Sequence, residues 1–391
     1  MIAAPISDID VYSDESILDP YPVYRALRDL GPAVWMPRHS IYVLARYDEV
    51  SSALRDHFGF SSASGVSANE QANAGAIGTL IASDPPGHDK LRKAMAAPLS
   101  PSAMAQLRPR IQAAAHELVE SLVDRGHFDV VPDLAQVLPV SIVSRLVGLP
   151  EEGRENMLRW AAATFDLLGA ANPRSAAALP HVLEMRAYAA KVAHRGGVIP
   201  GGWADQLLDL VDQGHVEQER VSSLLRDFMA PSLDTTIFAT ASMIWLLGTH
   251  IDQWQALVDD PSLVRNAVSE AVRMESPVRG FSRRLTVDTN VSGVDLPAGA
   301  RVLILYASAN RDERKWDAPE RFDIRRRVPD HVGFGFGVHS CAGMHLARLE
   351  MESILSAFIA RVASFHLGTP VWALNNTLRG LSSLPITVVP R

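Results

Sequence analysis

Phe334-Gly335-Phe336-Gly337-Val338-His339-Ser340-Cys341-Ala342-Gly343 is the stretch that decides how this chain reads. It combines two phenylalanines, three glycines and the only cysteine in the sequence. Glycine lets a backbone turn tightly and approach a flat ligand closely. Directly downstream, Met344 to Val362 is predicted to be helical. Cys341 therefore sits just ahead of a helix start, where backbone N–H groups favour an anion such as a thiolate. A lone cysteine is by default an inert buried residue. The ten-residue pattern around this one sets that default aside.

The rest of the chain bounds the class. It has 391 residues, 47% hydrophobic and 21% charged, a soluble globular composition with material for a large core. The formal net charge of −7 argues against a nucleic-acid partner. One cysteine forms no internal disulfide, so no oxidising compartment is needed. Met1-Ile2-Ala3-Ala4-Pro5 lacks the basic start and apolar run of a signal peptide. The most apolar run, Ile237 to Gly248, is too short for a membrane span of about 20 residues. A cytoplasmic protein without a membrane anchor is expected.

Along the chain, Ile41–Ala45 reads as a strand, and Asp48–Leu54 as a short helix with an acidic cap. Residues 62–78, rich in Ser, Ala, Asn and Gly, read as a long loop near a site. From Pro101 to Gln213 the pattern is helical. Val221–Leu247 reads as one long buried helix, and Asp260–Met274 as another. Strands are expected near Thr286–Val291 and Arg301–Ile304, and a hairpin around Pro385 within Leu381–Val389. Arg311–Pro329 has no periodicity. No linker divides the chain, so residues 1–391 are expected to form a single domain.

The loop 334–343 closely resembles the haem-binding loop of the cytochrome P-450 family. The resemblance implies a mainly α fold with small β-sheets and haem b between the long central helix and the cysteine helix. It implies Cys341 as the iron ligand, with Phe334 and Gly343 among the cofactor-binding residues. A thiolate on haem iron pushes electron density toward bound dioxygen and favours O–O cleavage. Three more segments occur in the family's order. Glu270-Ala271-Val272-Arg273 looks like the Glu-x-x-Arg pair, and Pro319-Glu320-Arg321-Phe322 like the segment whose arginine completes that ion network. Asp84-Pro85-Pro86-Gly87-His88 with Arg92 resembles the haem-edge helix. His88, Arg92, Arg283 and His339 would then face the haem propionates. The resemblance runs from Asp19 to Pro390.

Ala230-Pro231-Ser232-Leu233-Asp234-Thr235-Thr236 resembles the family's Ala-Gly-x-Asp-Thr segment, which implies a proton relay through Asp234 and Thr235. Pro231 and Ser232 depart from the pattern, standing where alanine and glycine are usual. The resemblance implies that such a proline either fixes a kink that the family helix already has or alters oxygen binding and coupling.

Among bacterial members, the similarity points to those oxidising para-substituted benzoates, with Asn310-Arg311-Asp312 and Asn375-Asn376-Thr377-Leu378-Arg379-Gly380-Leu381 as supporting stretches. The matching pocket positions are Phe165, Leu168, Ala230, Val278 and Phe281. That group's carboxylate grip falls on Ser64, Asp227 and Ala230 here, none of them basic. An unpaired buried carboxylate is disfavoured, so a neutral methoxylated aromatic such as an alkyl-methoxyphenol is expected, losing its methyl group as formaldehyde. Arg226 or Arg279 is the alternative anchor for an acid.

The chain lacks a Gly-x-Gly-x-x-Gly dinucleotide site and a flavin or iron–sulfur segment. Electrons are therefore expected from a ferredoxin and its NADH-dependent reductase, with Arg325-Arg326-Arg327 as a docking candidate beside an ordinary solvated charge run. The rival readings are a peroxide-driven enzyme of the same family, which the Asp234–Thr235 pair argues against, and a non-enzymatic haem sensor or carrier.

Overall fold

The computed structural model describes residues 3–391. Helices dominate, joined by four small sheets of five, three, two and two strands. The expected central helix is two helices, Val221–Met229 and Asp234–Thr249, interrupted over residues 230–233. Pro231 is the cause, since it has no N–H and its ring crowds the preceding turn. Side chains satisfy the exposed carbonyls: Ser232 Oγ donates to the Phe228 carbonyl, and Thr235 Oγ1 to that of Pro231 at 3.0 Å. Asp234 and Thr235 therefore open the second helix instead of lying inside one long one.

Asp234–Thr249 is buried on most faces, with Ile237, Ala241, Ile244 and Leu247 in the core. It packs against Val264–Met274, Met344–Arg361 and the turns of Val130–Ala135. The cysteine helix Met344–Arg361 lies mainly on the long helix Pro101–Arg125. Its buried file runs Leu346, Glu350, Ser353 and Ala357, the spacing of one helix face. Glu350 is the one ionisable residue in that file.

The five-stranded sheet has the order Val34–Met36, Ile41–Leu44, Arg301–Ile304, Phe281–Leu285, Phe60–Ser61. Only the pair Ile41–Leu44 and Arg301–Ile304 is parallel. Phe281 and Arg283 stand two apart on one strand, so both project to the same side.

Several local expectations change. Leu381–Ser383 pairs with Val371–Trp372, whereas Pro385–Pro390 lies between His127–Asp129 and Val362–Leu367. The tail is no hairpin because Leu384 alone cannot reverse the chain; the shortest common hairpin loop has two residues. The helix Tyr47–Arg55 has Arg46 at its N-cap, and the carboxylate of the distant Asp312 accepts from the Tyr47 N–H at 2.7 Å. The loop 62–78 contains a short helix, Glu70–Ala74. Val130–Val147 is long and apolar enough to span a membrane by composition, but 56% of it is buried inside the protein.

Candidate active site

A cavity of about 330 Å³ opens between the interrupted central helix and the cysteine helix. Its wall takes in the loop 333–335 and 339–343, the kink at Ala230–Ser232, Val278, Phe281 and Arg283, and the first turns of the cysteine helix.

Cys341 faces this cavity at the end of the glycine loop. Its N–H donates to the Phe334 carbonyl at 2.8 Å, which closes the loop on itself. Gly335 (φ 66°) and Gly337 (φ 69°) adopt left-handed conformations, and a Cβ at Gly337 would lie 2.6 Å from the Leu54 carbonyl oxygen. Burial pushes the thiol's pKa up, against the pull of the Gly343 and Met344 N–H groups, Arg92 and Arg348. The helix start alone therefore does not make a thiolate here. A bound metal ion is what deprotonates such a thiol.

His88, Arg92, Arg283, His339 and Phe334 line the same cavity. The rings of His88 and His339 meet edge to face at 4.6 Å. The Nε2 atoms of both are buried without a partner, as is Nε of Arg348, which stacks over the Phe334 ring at 5.1 Å. His339 Nε2 has only Asp84 nearby, at 3.8 Å. Buried polar nitrogens left open in this way are costly unless a ligand takes them up. The Asp84 carboxyl is held down to about 2; burial raises it, but the nearby His339 imidazole and the bonds from Ser61 and the Ser62 N–H outweigh that effect.

Behind the loop, Arg273 clasps Glu270 with Nε and Nη2 at 2.7 and 2.8 Å, both side chains fully buried. Arg321 does not complete this network. Its side chain is mostly exposed and pairs with Asp323 at 2.6 Å, offering only its carbonyl to Arg273. Arg326 takes the place, with Nε 3.2 Å from Glu270 and further bonds to the carbonyls of Asp317 and Ala318. The chain turns at Asp323–Arg326, so the residue five positions later reaches the pair. Arg326 is thereby removed from the candidate docking triplet, while Arg325 and Arg327 remain exposed.

Thr235 lines the cavity beside Pro231, while Asp234 stands behind the wall, 5% exposed, with Oδ2 unpartnered. Burial, reinforced by the nearby Asp166 carboxylate, pushes Asp234 up to about 7.

Comparison with known proteins agrees with this architecture. The cytochrome P450 family model matches residues 204–370. CYP199A2 of Rhodopseudomonas palustris is 38% identical over 99% of this chain and 95% of its own. The P450 monooxygenase PikC of Streptomyces venezuelae is 32% identical over 98% and 94%. The solved structure of myxobacterial CYP267B1 in complex with myristic acid superposes with a TM-score of 0.85 at 30% identity, covering 97% and 98% of the two chains. The chain belongs to the cytochrome P450 family. It is a haem b monooxygenase, an oxidoreductase that uses dioxygen and redox partners. The residues of this P450 fit that cofactor: a thiol, an aromatic ring, and unpartnered histidine and arginine nitrogens surround one largely apolar cavity.

The expected substrate-contacting residues Phe165, Leu168, Ala230, Val278 and Phe281 all line the cavity of this P450. A polar cluster in the same wall was not expected in full. Arg186 and Arg226 both face the cavity, and the two guanidiniums repel each other. Arg226 donates to the Gly75 carbonyl at 3.2 Å, and Arg186 Nε is buried without a partner. Neither forms an ion pair within 4.0 Å among the described residues. Asp227 joins them, accepting from the Leu80 N–H at 2.8 Å, and burial pushes its carboxyl up to about 7. Arg279 is spent elsewhere, on Tyr24 Oη at 2.9 Å and the carbonyls of Val11 and Asn376. Ser64 also lies outside the cavity wall, its carbonyl accepting from Arg301. The ground for a strictly neutral substrate, the absence of a basic partner, therefore no longer holds. No local motif marks Arg186 in the sequence; it reaches the cavity from the helix Pro173–Val192.

Proposed function

We propose that this P450, acting as one domain, removes methyl groups from small methoxylated aromatic compounds, and that Cys341 would hold the haem iron through its sulfur. His88, Arg92, Arg283 and His339 are assigned to the propionates; four basic side chains, two with open Nε2 atoms, match two carboxylates. Haem bound there supplies dioxygen activation. The chain's own residues position the ring and bring protons. Phe165, Leu168, Val278 and Phe281 exclude water and hold a flat apolar body against Ala230. The Thr235 hydroxyl holds a proton at the kink, and Asp234, poised near neutrality, replenishes it from the solvent side.

The observation that carries the substrate reading is the pair Arg186–Arg226 in an otherwise apolar cavity. It favours an aromatic ring with an acidic group, such as a para-substituted benzoate, over the neutral phenol. Asp227 does not forbid this. At about 7 it can take up a proton when an anion arrives, which removes the repulsion. An alkyl-methoxyphenol remains the second reading, supported by the apolar majority of the wall. Measuring formaldehyde released from each class, with ferredoxin and NADH-dependent reductase supplying electrons, tests the proposal; no formaldehyde from either would end it.

For the ferredoxin we assign the shallow depression on the cysteine side of the molecule, where Arg108, Arg265, His345 and Arg348 gather with Glu352. Arg265 is largely exposed and its contact to Glu352 is long, at 3.8 Å, leaving it free for an acidic partner.

A further inference from the structure

Three charged side chains stand together in the cavity wall, and the function described so far gives a binding role to two of them. Arg186 comes from the helix Pro173–Val192, and Arg226 and Asp227 come from Val221–Met229. One short loop, residues 75–80, fixes all three. Arg226 donates to the Gly75 carbonyl at 3.2 Å, and the Arg186 guanidinium lies where a Cβ on Gly75 would be. At the other end of the loop, Asp227 Oδ2 accepts from the Leu80 N–H at 2.8 Å. Each anchor leaves polar atoms unused. Among the described residues, Asp227 Oδ1 makes no hydrogen bond, Arg226 donates through Nη1 alone, and Arg186 donates to nothing. Arg226 acts on Asp227 through its charge, but no hydrogen bond joins the two. Leu80, Phe165, Val182 and Met185 belong to the same wall and offer no polar side chain.

Buried charges of both signs that do not pair with one another are costly. A ligand with a single carboxylate meets the arginines alone. It offers Asp227 nothing, and the aspartate must take up a proton to tolerate it. A ligand that carries both signs meets all three. Arg226 and Asp227 follow one another on the helix, with Cα atoms about 3.8 Å apart and side chains that diverge. The two ligand charges therefore belong on neighbouring atoms, not at opposite ends of a ring. A carboxylate and an ammonium on one carbon have that spacing. The elements packed on Val221–Met229 bring no further free charge to Asp227. On Pro173–Val192, Arg174, Glu184 and Lys191 pair with other residues. Asp205, Asp209 and Asp212 of Trp203–Asp212 hold Arg195. Asp166 of Glu151–Leu167 accepts from the Asn376 N–H, Arg145 of Ser144–Val147 is exposed, and Arg220 donates to the Gly78 carbonyl. The loop 75–80 has no titratable side chain.

We propose that the ligand this cavity is built for is a methoxyaryl α-amino acid, bound as its zwitterion. The carboxylate lies between Arg186 and Arg226, the ammonium donates to Asp227 Oδ1, and the ring occupies the apolar remainder of the cavity beside Phe165 and Val278. Asp227 is then a specificity-determining residue that selects for a hydrogen-bond donor next to the acid. The inference rests on the demethylation reading and names the substrate class within it. A benzoate is the minimal ligand of the arginines; the amino acid adds the contact to Asp227.

The experiment titrates the haem-loaded enzyme with O-methyltyrosine, with 3-(4-methoxyphenyl)propionate, which lacks the amino group, and with the hydroxy acid of the same skeleton. Affinity is read from the Soret shift and by calorimetry. At about pH 8, O-methyltyrosine should bind about tenfold more tightly than either counterpart, the scale of one hydrogen bond between charged groups. As pH rises through about 7 and Asp227 ionises, affinity for O-methyltyrosine should rise while that for the propionate falls. Asp227→Asn keeps an oxygen for the Leu80 N–H, so it should fold; it should remove both the preference and the opposed pH trends. Arg226→Gln should weaken all three ligands. Equal affinities for O-methyltyrosine and the propionate, or parallel pH trends, would overturn the inference; with both ligands still sensitive to Arg226, the proposed function would stand. An Asp227→Asn enzyme that keeps the full preference would also overturn it. No Soret shift with either ligand, nor with 4-methoxybenzoate, would remove the inference and the proposed function together.

Discussion

Arg326 Nε lies 3.2 Å from Oε1 of Glu270, the same oxygen that accepts from Arg273 Nη2 at 2.8 Å. One buried carboxylate is thus shared by two guanidiniums, and it ties the chain leading to the haem loop to the helix Val264–Met274, alongside the bonds from Asn266 Nδ2 to the Ile324 and Arg326 carbonyls. Breaking a buried pair by removing one partner costs about 3–5 kcal/mol. Glu270→Gln is expected at that level. Arg326→Gln should cost less, about 1–3 kcal/mol, because its end is partly solvated. Arg321→Gln, on the surface, should cost less than about 1 kcal/mol. Urea unfolding with haem-retention readout checks the order; a larger loss for Arg321 would reverse the assignment.

Thr235→Ala is expected to uncouple the enzyme. The variant should fold normally, since Thr235 makes one bond to the Pro231 carbonyl at the wall of a cavity. Hydrogen peroxide released per NADH should rise severalfold while NADH consumption persists, on the scale of a lost proton donor. Unchanged coupling would remove Thr235 from the relay.

The pH dependence of acid binding follows from Asp227. Its carboxyl is raised to about 7, so it is neutral below that pH and charged above it. Affinity for 4-methoxybenzoate should therefore fall as pH rises through 7, and Asp227→Asn should abolish the fall. An affinity that is flat with pH in the wild type would place the acid away from Asp227.

Stability carries a related signature. Asp227, Asp234 and Glu350 are all raised well above their ordinary carboxyl values. The folded state holds these protons while the unfolded chain gives them up near pH 4. Their favourable contribution is complete below about pH 4 and is lost as pH rises to 7–8. Titrating Tm between pH 5 and 8 should show a smaller decline in Glu350→Met than in the wild type. Equal slopes would mean that Glu350 is ionised in the native protein.

Arg265→Glu should slow ferredoxin-supported turnover several-fold, with less effect at high salt, where such steering is screened. Arg326→Glu should also reduce activity, but through loss of haem, which separates a structural role from docking. Equal ferredoxin kinetics for Arg265→Glu and the wild type would move the docking face elsewhere.

Much of this was legible in the sequence because the deciding chemistry is local. The glycine loop, Cys341 and the helix after it follow one another without a gap, and the structure keeps them in that order. The kink at Pro231 was readable from the missing N–H, though the full break into two helices was not. Contacts that depend on a turn of the chain were missed. Arg326 replaces Arg321 because residues 321–326 fold back on themselves, which no periodicity announces. Arg186 enters the cavity from a separate helix, and only packing brings it beside Arg226. Glu350 did leave a trace. It occupies a core position in the file Leu346–Glu350–Ser353–Ala357, where the helical period calls for an apolar residue.

The central claim, a small methoxylated aromatic held in the Arg186–Arg226 cavity, is tested most directly by a spectral titration of the ferric enzyme. 4-Methoxybenzoate is added in one series and a 4-alkyl-2-methoxyphenol in another, with Arg226→Gln as control. A ligand that displaces water from the iron moves the Soret band to shorter wavelength. The account predicts this shift with the benzoate, at lower concentration than with the phenol, and a marked loss of benzoate affinity in Arg226→Gln. No shift with either compound, or benzoate binding that is indifferent to Arg226, would contradict it.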